Sequence, residues 1–351
     1  MLNWKDSSES SWQKNGERKR FANPTPVPFI EIRMSDVKTR DAKTKDVTVA
    51  ESTLNWSNHR IRWTIGRLFN HLFRVAEVSV AQKVFRNLPS PCLTTRNLFG
   101  YRMHLDLSRS LSQQLLYLMG ERHITERALI NEHVKPGMSV VDVGANIGYH
   151  VLMFAQRIGG SGRITAIEPS PENLTELKAN ISGNTLKNVD LYEIAVGSRE
   201  TTVEVRGGIN SGIQTEGQGI AAVDMKPLSE VVREKCDFIK IDVDGYEAEV
   251  VEGAFDVLRR DRPVLLLELH PHLLPRFGSN VQTVVARLRE IYNHIEGYDQ
   301  FRAKEDSVIR RVLRRYAVPD KLRAIDELDS VIELADADQH NWTFWIIARN
   351  V

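Results

Sequence analysis

The sequence predicts an α/β fold, a Rossmann-like doubly wound sheet preceded by an N-terminal helical arm. Three observations predict it. After residue 120, short β-branched runs alternate with helix-length stretches, the order that builds a parallel sheet covered by helices on both faces. Val264-Leu265-Leu266-Leu267 is continuously apolar, as a strand buried on both faces must be. Finally, Val140-Val141-Asp142-Val143-Gly144-Ala145-Asn146-Ile147-Gly148 runs an apolar strand into a glycine turn and on into a helix.

The elements follow in order. Residues 139–143 read as the first strand and residues to about 157 as its helix; residues 163–167 are the second strand, followed by a helix over 171–181. Residues 189–196 form the third strand. Residues 201–205 and 220–223 flank a glycine-rich loop at 207–219, as an antiparallel excursion would. Residues 238–243 and 264–269 are the fourth and fifth strands, with a helix over 246–258 between them, and 342–348 is again β-rich. Upstream, Ile61, Ile65, Leu68, Leu72, Ala76, Val80 and Val84 recur at three- and four-residue steps, which predicts an amphipathic helix over 58–88. Its polar face carries Arg60, Arg62, Arg67, Arg74, Lys83 and Arg86 against Glu77. Such a face either stays in water while the helix packs on the main domain or lies on a membrane surface as a peripheral contact. Residues 1–57 are polar and charged and are expected to be disordered. The expected domains are therefore a tail at 1–57, a helical cap at 58–119 and a main domain at 120–351.

Composition bounds the function. The chain has 351 residues, 42% hydrophobic and 26% charged, with a formal net charge of +1. Near-neutrality gives no reason to expect nucleic acid as partner. Cys92 and Cys236 lie far apart and show no CxxC or zinc spacing, which fits a reducing compartment. No secretory h-region opens the chain, and no apolar run reaches the roughly 20 residues that span a bilayer. The cytoplasm is the expected location, and oligomeric state is not readable.

The glycine turn carries the chemistry. A dinucleotide site would prefer G-x-G-x-x-G, its pyrophosphate resting on the helix N-terminus. Here Asn146 holds the second glycine position, and Asp142 precedes Gly144. A carboxylate there repels a pyrophosphate and attracts the ammonium group of an amino acid, which suits S-adenosylmethionine. Asp142, Gly144, Asn146 and Gly148 are thus candidate cofactor residues. Glu168 ends the second strand, placed to accept hydrogen bonds from ribose hydroxyls; alone it would read as a surface or capping glutamate.

These stretches, with Ala166-Ile167-Glu168-Pro169, Ala195-Val196-Gly197, Ile239-Lys240-Ile241-Asp242-Val243-Asp244-Gly245-Tyr246-Glu247 and Leu266-Leu267-Glu268-Leu269-His270, resemble the FkbM-type S-adenosylmethionine-dependent methyltransferases. The resemblance covers about residues 95–270 and departs at Asp244, where the family usually has glutamate. It implies a class I methyltransferase type of sheet, S-adenosylmethionine as cofactor, Ala195 as a further cofactor residue, and O-methylation of a sugar or natural-product hydroxyl. The acceptor would be a small molecule or glycan. The rivals are a nicotinamide-dependent oxidoreductase on a similar sheet and a non-catalytic nucleoside- or glycan-binding module.

The fourth strand is unusual in its own right. Lys240, Asp242 and Asp244 alternate and so share one face. Ionisable groups near the end of a buried strand indicate either a polar cleft or an internal Lys–Asp pair. Glu247, in the first turn of the next helix, complements the helix dipole. His270 follows the fifth strand, and its ordinary pKa near 6.5 suits a general base without a large shift. Asp242 would orient it or the acceptor, and Lys240 would serve as an orienting cation. Asp242, His270 and Lys240 are thus the candidate catalytic residues. No compact metal-ligand motif occurs, so a metal is not required and none is assigned, although Asp242 with Asp244 could hold a divalent ion.

Overall fold

The structure, a computed structural model, describes residues 85–120, 124–205, 221–299 and 343–351, together with Leu328, Asp329 and Ile332. The expected tail at 1–57, the basic helix at 58–88 up to residue 84, and the glycine-rich loop at 207–219 lie outside the described residues. No helix among the described residues is long and apolar enough to cross a membrane.

The described chain opens with a hairpin, β1 (Leu93–Leu98) and β2 (Tyr101–Asp106), followed by α1 (Leu111–Met119) and α2 (Ile124–His133). The doubly wound part runs β3 (Ser139–Val143), α3 (Tyr149–Ile158), β4 (Arg163–Ile167), α4 (Pro171–Gly183) and β5 (Val189–Tyr192). A small sheet of β6 (Ala195–Val196), β7 (Thr201–Val205) and β8 (Ala221–Lys226) interrupts it. The chain then resumes with α5 (Leu228–Val231), β9 (Phe238–Ile241), α6 (Glu247–Asp261), β10 (Val264–Leu269), α7 (Val281–Arg289), β11 (His294–Asp299) and β12 (Phe344–Arg349).

The seven-stranded sheet has the order β11-β12-β10-β9-β3-β4-β5. Strands β5, β4, β3, β9 and β10 pair in parallel, and β12 runs antiparallel to both of its neighbours. Both faces are covered, which explains why the strands are nearly continuous in apolar residues. Val140, Phe238, Leu266, Trp345 and Ile347 meet α3 and the hairpin on one face. Val141, Ile239, Ile241, Leu265 and Leu267 meet α6 and α7 on the other. This is the doubly wound sheet that the sequence predicts.

Two segments differ from the reading of the sequence. The run expected as one strand over 189–196 divides: β5 ends at Tyr192, and Ala195-Val196 leave the large sheet to pair in parallel with Met225-Lys226 of β8. Gly253 of α6 permits the departure, because a Cβ there would sit 2.0 Å from the Gly197 carbonyl oxygen. Within the span expected as a helical cap, residues 93–106 form the hairpin instead. Leu98 pairs with Tyr101 across Phe99-Gly100, both at positive φ (55° and 85°), the signature of a two-residue turn that matches strand twist.

Candidate functional site

The chain direction across the sheet reverses between β3 and β9: β4 and β5 extend to one side, β10 to the other. Ligands of open α/β sheets bind at the carboxyl ends of strands flanking such a reversal. On one face of this sheet, three neighbouring strands change character toward that end. β3 carries Val140 and then Asp142, β9 carries Phe238 and then Lys240, and β10 carries Leu266 and then Glu268. Two residues further along their own chains come Asp242 and His270.

The turn after β3 is closed by its own chain. Gly144 and Ala145 donate to the Ile167 carbonyl, Asn146 to Glu168 Oε2, Ile147 to the Asn146 side-chain oxygen, and Gly148 to the Ala145 carbonyl. Gly144, Asn146 and Gly148 all have positive φ (81°, 51° and 92°). Asparagine is among the few non-glycine residues that tolerate this region, which accounts for its place at the second position. At Gly144 the requirement is packing as well: a Cβ would lie 2.0 Å from the Asp242 carbonyl oxygen. With its N–H groups committed, the turn offers little to a pyrophosphate. Glu168 accepts from Asn146, Ser170 and Asn173, so one of its roughly four acceptor positions is left. Burial raises its pKa to about 7 against the lowering effect of those hydrogen bonds.

Asp142 and Lys240 are fully buried, with Nζ 3.2 Å from Oδ1 of Asp142 and 3.6 Å from Oδ2 of Asp242. Burial alone would lower the Lys240 pKa; Asp142 and Asp242 outweigh it and hold the ammonium above its ordinary value. Lys240 therefore ties β3 to β9. Asp142 Oδ2 is enclosed and has no hydrogen-bond partner among the described residues. The donor–acceptor balance of turn, Asp142 and Glu168 suits a ligand bearing an ammonium and hydroxyls better than one bearing phosphates.

Around His270 the carboxylates gather. Nδ1 lies 2.5 Å from Glu247 Oε1, and Nε2 lies 3.3 Å from Asp244 Oδ1 and 3.7 Å from Glu268 Oε1. Burial would lower the imidazole pKa; the hydrogen bond and charge of Glu247, then Glu268 and Asp244, reverse this and raise it to about 10. The expectation of a base needing no large shift is corrected here, because at neutral pH this imidazole keeps its proton. Burial and the neighbouring Asp242 push Glu268 well above the usual carboxylate range.

Of the residues singled out from sequence, Asp142, Gly144, Asn146, Gly148, Glu168, Lys240, Asp242 and His270 lie on or next to the carboxyl ends of β3, β4, β9 and β10, while Ala195 is buried in β6 opposite Met225. Glu247 and Glu268 received no site role from sequence. Glu247 sits at the start of α6, where the dipole explanation sufficed; its contact with His270 exists only once β10 has been laid beside β9. Glu126 of α2 was also missed. It is buried 2.7 Å from His150 Nε2, and its charge acts on both Lys240 and Glu268.

Residues 142–299 match the Methyltransferase FkbM domain family. Protein-L-isoaspartate O-methyltransferase 1 of Arabidopsis thaliana is 31% identical over 81 residues, 23% of this chain and 35% of that protein. Protein-L-isoaspartate O-methyltransferase of Triticum aestivum is 36% identical over 82 residues, 23% of this chain and 36% of that protein. The match thus spans about a third of the length of these curated relatives. Among solved structures, the methyltransferase FkbM of Methylobacillus flagellatus KT aligns with a TM-score of 0.34 at 15% identity, covering 69% of this chain and 53% of that one. The family match runs from Asp142 in β3 to Asp299 at the end of β11, so it is this stretch of the doubly wound sheet that is similar to the Methyltransferase FkbM domain.

Proposed function

We propose that this protein transfers a methyl group from S-adenosylmethionine to a hydroxyl oxygen of a sugar or natural-product acceptor. The observation that carries the reading is the shared face at the sheet reversal, where a self-closed glycine turn adjoins strand ends bearing Asp142, Lys240, Asp242, Glu268 and His270. Bound S-adenosylmethionine supplies a methyl on a cationic sulfur, from which an acceptor oxygen displaces S-adenosylhomocysteine. Asp142, the 144–148 turn, Glu168 and Ala195 are the residues assigned to holding it.

The acceptor side falls to Asp242 and His270. A hydroxyl is a weak nucleophile until its proton is being removed. Asp242 keeps 30% of its side chain exposed at the strand end, so it is the group open to an incoming hydroxyl. His270, held in its protonated form by Glu247, offsets the surrounding carboxylates and fixes Asp242's surroundings. Lys240, fully enclosed, orients Asp242 from behind.

Calorimetry tests the reading at its first step. The full chain should bind S-adenosylhomocysteine and show much weaker heat with NADH. Binding of NADH with no response to S-adenosylhomocysteine or S-adenosylmethionine would overturn it.

A further inference from the structure

The carboxylates around His270 form a donor set that methyl transfer by itself does not call for. One oxygen each of Asp242 and Glu268 and one nitrogen of His270 lie within 4.8 Å of one another. Ligand atoms held about 2.1–2.3 Å from a single ion stand about 3–4.5 Å apart, depending on the angle between them. The spacing is therefore that of ligands around one cation, with only small closure required. We propose that Asp242, Glu268 and His270 form a divalent-cation site, suited to Mn²⁺ or a similar ion that accepts both oxygen and nitrogen donors.

Surface carboxylates often cluster without an ion, but these do not lie on the surface. Glu268 and His270 are 5% and 6% exposed; Glu268 lies in β10 and His270 directly follows it, beside Asp242, which directly follows β9. Such positions are fixed by the sheet rather than by loop mobility. A separate observation concerns the far side of the imidazole. Glu247 is fully buried, its Oε1 lies 2.5 Å from His270 Nδ1, and its Oε2 has no hydrogen-bond partner among the described residues. A buried carboxylate on the distal nitrogen is the arrangement that fixes the ring of a metal-binding histidine and turns its other nitrogen to the ion.

Charge points the same way. Asp242, Asp244, Glu247 and Glu268 surround one imidazole, and the nearest ammonium, Lys240, is shared with Asp142. Glu126, behind them, is paired with His150. A divalent ion bound among them would offset this gathering of carboxylates. Asp244 Oδ1, 3.3 Å from Nε2, is in reach as a fourth ligand. The mixed oxygen–nitrogen set favours Mn²⁺ over Mg²⁺, which keeps to oxygen and to its waters. Nε2 holds either a proton or an ion, so loading releases that proton to solvent.

Binding of the ion does not rest on the proposed methyl transfer, although its use does. There it would coordinate the acceptor hydroxyl and lower its pKa, the proton passing to water as the C–O bond forms and the C–S bond breaks. The test uses the full chain, stripped with EDTA and titrated with MnCl₂ while free Mn²⁺ is followed by electron paramagnetic resonance. One ion per chain is expected, with nitrogen coupling from an imidazole in the pulsed spectrum. Asp242→Asn and His270→Gln should weaken binding by at least about tenfold, while Asp256→Asn, on the exposed face of α6, should not. Absence of uptake, or uptake without nitrogen coupling, overturns the site. Should the variants fail to fold by circular dichroism, the wild-type nitrogen coupling decides alone. S-adenosylhomocysteine calorimetry on the same stripped and loaded samples separates the two readings. Nucleoside binding without Mn²⁺ uptake removes the ion site only, and Mn²⁺ uptake without nucleoside binding removes the methyl-donor reading only.

Discussion

At Glu168, burial and hydrogen bonding pull in opposite directions, and burial wins, leaving a carboxyl whose pKa is about 7 in the folded chain. Between its unfolded value near 4.5 and 7 the folded state holds a proton that the unfolded state has lost. This contribution to stability is present in full below about pH 4.5 and is lost as pH rises through about 7. Glu168→Gln removes the titration but sets an amide N–H₂ against the N–H of Asn146 or of Ser170, whichever way it turns. The advantage of wild type over this variant should therefore shrink by roughly 2 kcal/mol between about pH 5 and about pH 8. Urea denaturation of both proteins at several pH values measures it, and an advantage that stays constant over this range would show Glu168 ionised throughout. Much of the site was legible at this scale. The alternation from Phe238 to Asp244 put Lys240 and Asp242 on one face, and the spacing of the turn and Glu168 marked the ends of β3 and β4. What could not be read was the company of His270. Glu247 stands 23 residues away along the chain, and only the strand–helix–strand crossover brings it to Nδ1.

Among the elements, the parallel strands were readable because apolar runs of that length, between helix-length stretches, have few other uses. The β1–β2 hairpin was not, since its period-two pattern follows directly on a segment with helical periodicity. Nor was the insertion of β12 between β10 and β11, because strand order across a sheet leaves no local trace in sequence. Side chains of α4 and its C-cap, Asn180 and Asn184, hydrogen-bond the backbone of β2 and tie the hairpin to the main domain. Asn180 of α4, fully buried, accepts from the His104 N–H at 2.6 Å and donates to the Ile147 carbonyl at 2.7 Å. It thereby joins β2, α4 and the glycine turn. Asn180→Ala leaves a buried donor and a buried acceptor unsatisfied, each costing about 1–3 kcal/mol, so a loss of about 3 kcal/mol is expected in denaturant unfolding. A loss well under 1 kcal/mol would mean that the hairpin docks through its apolar residues, Leu98, Met103 and Leu105, without help from this link.

Over the whole molecule, the described apolar layers on either side of the large sheet draw together residues of the hairpin, the helices and the strands. Phe85 is buried and meets Tyr117 edge-on at a ring separation of 6.2 Å. The composition of residues 1–57, with runs such as Asp41-Ala42-Lys43-Thr44-Lys45-Asp46, leaves little apolar surface to bury. Deleting them should therefore leave the melting temperature and the affinity for S-adenosylhomocysteine close to those of the full chain, because polar terminal segments contribute little to a core. Retaining 58–84 in the shortened protein keeps the basic amphipathic stretch, so the comparison isolates the tail. Differential scanning calorimetry and nucleoside titration, run on both proteins in one buffer, give the answer. A shortened chain that aggregates, or melts many degrees lower, would show that part of 1–57 packs against the domain and that its polar composition conceals a structural role.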